Sequence, residues 1–198
     1  SERGRRGDLS GAGVAPKTGR FAIVEQLLAD GITYMFGNPG TVEQGFLDAL
    51  GSYPEMRYIT TLQETIAVAM GDGYARATKR TSVVLSHLSP GLTNAATGVA
   101  NAALDSIPMV VIAGDVPTHY YGKHPHQEVN LHADASQFEI YRTFEKRAWR
   151  VDHRPLFPGR VGEGRHLADS GRAGPVGGQL AAGHRLWGDT TRRGSRPR

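Results

Sequence analysis

The sequence predicts an α/β fold, namely a three-layer, doubly wound parallel sheet with helices on both faces. Helical and strand-like patterns alternate through at least four rounds, which favours parallel strands joined by right-handed crossovers. Residues 107–113 form an uninterrupted apolar run, typical of a central parallel strand that is covered on both faces. A chain of 198 residues with 39% hydrophobic residues can build one domain of ordinary size around such a sheet.

The first half of the chain carries three helix patterns and two strand patterns. Gly-Asn-Pro-Gly at 37–40 predicts a tight turn after the first strand. Thr41 and Gln44 form a capping-box pattern, so the second helix is expected to begin at Thr41. The predicted elements are a helix over 19–29, a strand over 32–36, a helix from 41, a strand over 57–61, and a helix with the apolar face Leu62, Ile66, Ala69, Met70 and Tyr74.

The second half continues the alternation as far as residue 151. The predicted elements are a strand over 81–85, a helix over 92–103, the apolar strand over 107–113, a helix over 138–147 and a short strand over 148–151. Residues 115–136 between them are polar and rich in histidine, but the spacings fit no familiar zinc pattern.

Composition excludes several classes of protein. The absence of cysteine excludes a disulfide framework and a thiolate metal site or nucleophile. No apolar run reaches the length of a membrane span. The net charge of +4 and the pI of about 9.6 reflect arginines that collect at the two ends, without a nucleic-acid-binding motif. We therefore expect a cytoplasmic protein without nucleic-acid or membrane partners.

Three motifs hold the candidate functional residues. Glu64 begins a helix just past the carboxyl end of a strand, which is where open α/β sheets bind ligands. Taken alone, a glutamate in a first helical turn needs only the helix macrodipole as its explanation. However, GNPGT at 37–41 precedes Glu64 and SHLSPGLTNAATG at 86–98 follows it.

These motifs, in this order and at these distances, resemble the amino-terminal, pyrimidine-binding domain of thiamine-diphosphate enzymes. The resemblance covers roughly residues 17–176 and is to the branch with acetolactate synthase and benzoylformate decarboxylase. It implies that thiamine diphosphate is the cofactor and that Glu64 hydrogen-bonds its pyrimidine N1′, which drives the 4′-amino group to the imino tautomer that deprotonates the thiazolium. Asn38, Pro39, Gly40 and Asn94 are implied to bind the cofactor, although Asn94 equally suits the first turn of a helix.

The same resemblance implies three substrate contacts. Thr41 matches a small hydroxyl residue that touches the substrate carboxylate. His87, in HLSPG, matches the decarboxylase histidine that serves in proton transfer. His87 is therefore the second catalytic candidate, after Glu64. Acetolactate synthases lack that histidine, so His87 favours the decarboxylase branch. The alternative is a structural role, which is more common for a lone histidine at a strand end. Gln127 lies in His126-Gln127-Glu128, where the family has a Phe-Gln-Glu-like element near the substrate.

The resemblance ends before the family's full length. We expect residues 1–16 to be disordered, 17–152 to form the pyrimidine-binding domain, 153–176 to be its degraded end, and 177–198 to be a disordered or frame-shifted tail. The last strand is expected to be lost, because apolar periodicity stops near Val176 and Gly159, Gly162 and Gly164 weaken the preceding helix. DNA sequencing in all frames tests the frame-shift hypothesis.

The resemblance also implies a partner. In the family, a carboxyl-terminal domain with a Gly-Asp-Gly…Asn motif holds the diphosphate and its Mg²⁺, and sites form between subunits of homodimers or tetramers. This chain has Gly71-Asp72-Gly73 on a helix without the downstream asparagine, so we predict no metal site in it and expect the diphosphate-binding domain of another subunit as its partner.

Three functions stay open. The first is the pyrimidine-binding half of a 2-oxo acid decarboxylase, a lyase that is inactive alone. The second is a fragment of an acetolactate synthase large subunit, a transferase. The third is a non-catalytic domain that pairs with a full-length relative.

Overall fold

A six-stranded parallel sheet forms the centre of the molecule. The computed structural model describes residues 19–116, 137–151 and 157–181. In chain order, the elements are α1 (Gly19–Ala29), β1 (Tyr34–Gly37), α2 (Gln44–Leu50), β2 (Arg57–Thr60), α3 (Glu64–Thr78), β3 (Ser82–Ser86), α4 (Leu88–Leu104), β4 (Met109–Asp115), a 3₁₀ helix (Gln137–Tyr141), β5 (Ala148–Val151), α5 (Phe157–Asp169) and β6 (Pro175–Ala181).

The sheet has the strand order β2-β1-β3-β4-β6-β5, and every neighbouring pair is parallel. The chain moves from β1 outward to β2 and then returns to the other side of β1 to form β3. The order therefore reverses between β1 and β3, and such a switch point leaves a crevice beyond the carboxyl ends of the two strands.

Helices cover both faces of the sheet. Met35 and Val83 belong to one buried cluster with residues of α1, α2 and α5. The next residues along the strands, Phe36 and Val84, belong to a second cluster with residues of α3 and α4. Adjacent strand residues point to opposite faces, so this alternation makes three layers. The predicted doubly wound α/β architecture is confirmed.

The predicted loss of the last strand is wrong. Residues Pro175–Ala181 form β6, which lies between β4 and β5 and pairs Val176 with Val110. Hydrogen bonds to two neighbouring backbones give this segment a strand conformation although its glycines obscure the usual apolar pattern. Helix α5 also forms, over thirteen residues of the segment expected to be degraded. The domain boundaries themselves stay predictions.

Two helices begin at residues other than those predicted, and one predicted helix does not form. Helix α2 begins at Gln44 with Glu43 as its N-cap and without a side-chain cap hydrogen bond, so the capping box at Thr41 is wrong. Helix α4 begins at Leu88, four residues early, which makes His87 its N-cap. The helix predicted over 138–147 is wrong, because a 3₁₀ helix ends at Tyr141 and turns follow.

Helix α3 buries a different face from the one predicted. Leu62, before its start, is 94% exposed, and Ile66 and Met70 are 45% and 40% exposed. The buried face consists of Glu64 and smaller residues such as Ala67 and Val68. An apolar stripe therefore stays on the surface beside Glu64. No helix within the described ranges combines the length and apolar character that a membrane crossing requires.

Candidate functional site

The segments that follow three strands meet beyond the switch point of the sheet. Gly37 ends β1 and is the register partner of Leu85 in β3, so the segments that follow these strands start side by side. Residues 38–43 follow β1, and His87 follows β3. Glu64, at the start of α3, comes from the end of the neighbouring strand β2. This arrangement explains why motifs far apart in the sequence form one site.

Glu64 is a buried carboxylate held by two amide groups. Its side chain is 4% exposed. Asn38 Nδ2 donates to Oε1 at 3.2 Å, and Asn94 Nδ2 donates to Oε2 at 3.1 Å. A Cβ atom on Gly91 would lie 3.0 Å from Oε1, so glycine lets α4 pass close to the carboxylate. Two neutral donors therefore orient Glu64 without neutralising its charge.

His87 forms the second half of the site with a residue that sequence analysis missed. Its Nδ1 lies 2.8 Å from Oε2 of Glu43, which is fully buried. The backbone N–H of Gly40 donates to the same oxygen at 2.9 Å. The His87 ring lies so close over Gly40 that a Cβ atom there would overlap it. The glycine of GNPGT therefore makes room for the histidine.

The residue after His87 has an unusual backbone conformation. Leu88 has a φ of +50°, in the left-handed region, although its side chain is buried in the interior. A non-glycine residue in this region costs about 1–2 kcal/mol. The packing of the Leu88 side chain offsets this cost, and the turn directs the chain from β3 into α4 at the position of His87.

The Tyr58 hydroxyl lies against Gly37, the last residue of β1. Its hydroxyl is buried and has no hydrogen-bond partner among the described residues. Burial, followed by the negative charges of Glu43 and Glu64, raises the pKa of Tyr58 well above its usual value. The phenol therefore keeps its proton, and it is a potential hydrogen-bond donor.

The structure brings together most of the predicted site residues. Glu64, His87, Asn38, Asn94 and Gly40 take part in the contacts given above. Asn94 lies in the second turn of α4 rather than the first, because the helix begins at Leu88. Its amide contacts Glu64 instead of capping the helix.

The remaining predictions have less support from geometry. Pro39 and Thr41 lie in the same loop, and Thr41 is exposed. Gln127, with the whole 126–128 element, lies outside the described residues, as do the predicted disordered segment 1–16 and residues 182–198 of the predicted tail. No group of three or more His, Asp or Glu in the described residues is arranged to hold a metal ion.

Glu43 and Tyr58 carried weak sequence signals. The pattern Gly40-x-x-Glu43 matches a carboxylate that accepts the N–H of Gly40, but the capping pattern at Thr41 and Gln44 competed with it. The sequence of Tyr58 and its neighbours predicts only an ordinary strand, because the position of Tyr58 against Gly37 depends on how β2 pairs with β1.

This chain is similar to known proteins in sequence. Residues 17–137 match the family model described as "Thiamine pyrophosphate enzyme, N-terminal TPP binding domain". The chain is 37% identical over 159 residues to the acetolactate synthase large subunit of Buchnera aphidicola subsp. Acyrthosiphon pisum (strain APS), and 36% identical over 159 residues to acetolactate synthase isozyme 3 large subunit of Escherichia coli K12. Each match covers 80% of this chain and 27% of the relative.

A solved structure has the same fold. The thiamine diphosphate-dependent 4-hydroxybenzoylformate decarboxylase of Rhodococcus jostii RHA1 matches with a TM-score of 0.77 and 25% identity. The match covers 84% of this chain and 30% of the decarboxylase. This chain thus spans less than a third of the length of each of these proteins.

Proposed function

The chain belongs to the family of N-terminal, thiamine pyrophosphate-binding domains of thiamine pyrophosphate enzymes, and from this premise we propose that Glu64 binds the pyrimidine ring of thiamine pyrophosphate (thiamine diphosphate). The observation that carries the proposal is a carboxylate that is 4% exposed at the switch point of the sheet. A buried carboxylate in that position is costly unless it is paired, and here its partners are two neutral amides.

The donor set around Glu64 fits the cofactor. Each carboxylate oxygen accepts one amide hydrogen and keeps a second lone pair for another donor. A proton shared with a ring nitrogen is a strong, charge-assisted hydrogen bond in a dry environment. When bound, thiamine diphosphate supplies the carbon nucleophile for reaction with a 2-oxo acid. Asn38 and Asn94 then have the role of holding Glu64 in the orientation that its partner nitrogen requires.

For the reaction, we favour decarboxylation of a 2-oxo acid. His87 supports this choice, because an imidazole at the mouth of the switch point can hold and return a proton. Thr41 is proposed to contact the substrate carboxylate, and Gln127 to lie near the substrate. Acetolactate synthesis is the second candidate, favoured by the acetolactate synthases among the relatives. A non-catalytic domain that pairs with a full-length relative is the third.

The exposed apolar stripe on α3 supports a partner domain. Leu62, Ile66 and Met70 lie on the surface immediately beside Glu64. Exposed apolar groups that cluster next to a site indicate a protein interface. We propose that this stripe docks against the diphosphate-binding domain of another subunit, in a homodimer or tetramer, and that the partner domain holds the Mg²⁺. The chain alone is then expected to be inactive, and thiamine-diphosphate-dependent decarboxylation of a 2-oxo acid by the purified chain would refute this.

Titration of the ¹⁵N-labelled chain with thiamine diphosphate tests the binding proposal. We expect concentration-dependent shifts of the backbone amide signals of Asn38, Gly40, Glu64 and Asn94 in the wild type. These shifts should be absent in Glu64→Gln. Glu55→Gln, which changes an exposed glutamate before β2, is the matched control and should bind as the wild type does. Equal shifts in Glu64→Gln and wild type, or no shifts at the site, would contradict the proposal.

A further inference from the structure

We propose that Glu43 is a positioning residue that keeps the proton of His87 on Nδ1, so that Nε2 is the nitrogen that accepts and returns protons. The inference deepens the proposed function and rests on it for its catalytic meaning. The tautomer of His87 is a property of this chain alone and is measurable without cofactor or substrate.

The first support is the fixed orientation of the Glu43 carboxylate. Its Oε2 accepts the N–H of Gly40 at 2.9 Å and lies 2.8 Å from His87 Nδ1. Its Oε1 is packed against β4, where a Cβ atom on Gly114 would overlap it. Glu43 is fully buried, so it is held by its surroundings rather than by solvent. The carboxylate cannot turn away from His87 without breaking its bond to Gly40.

The second support is the relative basicity of the two groups. An imidazole has an ordinary pKa of about 6.5 and a glutamate carboxyl of about 4.3, so a proton between the two resides on the nitrogen. A carboxylate accepts hydrogen bonds only, and Nδ1 must then be the donor. In a neutral imidazole, a proton on Nδ1 leaves the lone pair on Nε2.

The third support is the confinement of the ring. His87 is the N-cap of α4, and its side chain is 14% exposed. The ring lies against the backbone of Gly40, so rotation of the imidazole would require the loop after β1 to move. Glu43 and Gly40 therefore fix both the tautomer and the plane of the ring. When Nε2 takes up a proton, the buried carboxylate stabilises the imidazolium that forms.

The test is the tautomer of His87 in the chain labelled with ¹⁵N-histidine. Long-range ¹H–¹⁵N correlation spectra at about pH 8.5, above the ordinary histidine pKa, distinguish a protonated ring nitrogen from one with a lone pair. The His87 signals are those that vanish in His87→Asn. We expect a protonated Nδ1 and an unprotonated Nε2. A protonated Nε2 in the wild type would overturn the proposal, and this measurement requires no Glu43 variant to fold.

Two variants examine the role of Glu43. Glu43→Met keeps the length of the side chain and removes the acceptor, so the preference for a protonated Nδ1 should be lost. Glu43→Gln should retain it, because the N–H of Gly40 keeps the amide oxygen in the position of Oε2. Glu163→Gln, on α5, is the control and should leave His87 unchanged. An unchanged tautomer in a folded Glu43→Met chain would overturn the proposal.

These outcomes are separable from those of the proposed function. Absence of thiamine diphosphate binding would refute the cofactor proposal and leave the tautomer measurement valid. A wrong tautomer would refute the role of Glu43 and leave binding at Glu64 intact.

Discussion

Replacement of Gly37 by alanine should strongly destabilise the chain. Gly37 is the last residue of β1 and is enclosed between β2 and β3. A Cβ atom at this position would lie 2.5 Å from the Tyr58 hydroxyl, 2.6 Å from the backbone oxygen of Leu85 and 2.9 Å from Leu85 Cβ. The two Leu85 atoms are the backbone oxygen and the Cβ atom of β3, so a side-chain rotation cannot relieve the overlap.

The size of the effect follows from these contacts. Overpacking of a well-packed interior costs about 1–3 kcal/mol, and a shift of strand backbone places Gly37→Ala at the upper end of this range. A typical domain has a free energy of unfolding of about 5–15 kcal/mol, so the loss should be easy to detect. Because β1 leads directly into Asn38 and Gly40, the same shift should also move the loop that contacts Glu64 and His87.

Gly159→Ala is the matched control. Gly159 lies in the first turn of α5, and among the described residues no atom outside its immediate chain neighbours and its own helix backbone lies within 4 Å of the position that its Cβ atom would occupy. Alanine is favoured over glycine in a helix by up to about 1 kcal/mol, so the same added methyl group should here stabilise the chain or leave it unchanged.

Urea unfolding followed by circular dichroism measures both effects. The midpoint should fall for Gly37→Ala and should stay level or rise for Gly159→Ala, with equal slopes of free energy against urea concentration. Equal midpoints for wild type and Gly37→Ala would refute the close approach of β1 to β3. A large loss in Gly159→Ala would refute the open surroundings of that part of α5.

Three further predictions concern other parts of the molecule. Burial, followed by the charge of Glu139, raises the pKa of Glu145 to about 7. The folded state then binds the proton more tightly than the unfolded state, so ionisation of Glu145 destabilises the fold as the pH rises from about 4.5 to 7. In urea titrations, the free energy of unfolding of Glu145→Gln relative to wild type should be about 1 kcal/mol higher at pH 8 than at pH 4. Thr81 Oγ1 donates to Asp169 at 2.5 Å and joins the start of β3 to α5, so Thr81→Val should lose about 1–2 kcal/mol in the same assay. Replacement of Ile66 and Met70 by serine should change the free energy of unfolding by less than about 1 kcal/mol but reduce capture of the chain by an immobilised diphosphate-binding domain; undiminished capture would contradict the docking role of α3.

The strands and the site loops could be predicted because their signals are local. A strand covered on both faces has to be apolar throughout, as 107–113 is, and a strand of that kind next to a glycine-rich turn indicates a parallel sheet. Glu64 could be placed at the edge of the sheet because the carboxyl ends of parallel strands lie there. His87 and Asn38 could be associated with it only through the resemblance, since nothing local joins residues so distant in sequence.

Other features depend on neighbours that the sequence does not identify. Ile66 and Met70 recur at helical spacing and therefore share one face of the helix. The spacing does not identify the surface against which that face packs. In the molecule, Ala67 and Val68 meet the sheet instead. Strand β6 forms because β4 and β5 supply hydrogen bonds on both sides, although Gly177 and Gly178 weaken the local strand signal.

The two buried carboxylates of the site differ in their partners, and that difference separates their chemical roles. Glu64 contacts amides, which hold its position and compete for no proton, so its basicity is available to a ligand nitrogen. Glu43 contacts an imidazole, which is a stronger base than a carboxylate, so Glu43 accepts a hydrogen bond from His87 instead. Burial, followed by the negative charges of Glu43 and Glu64, raises the pKa of the nearby Tyr58. These different hydrogen-bond partners assign Glu64 to the cofactor and Glu43 to the histidine, so Glu64→Gln and Glu43→Met should fail in different assays.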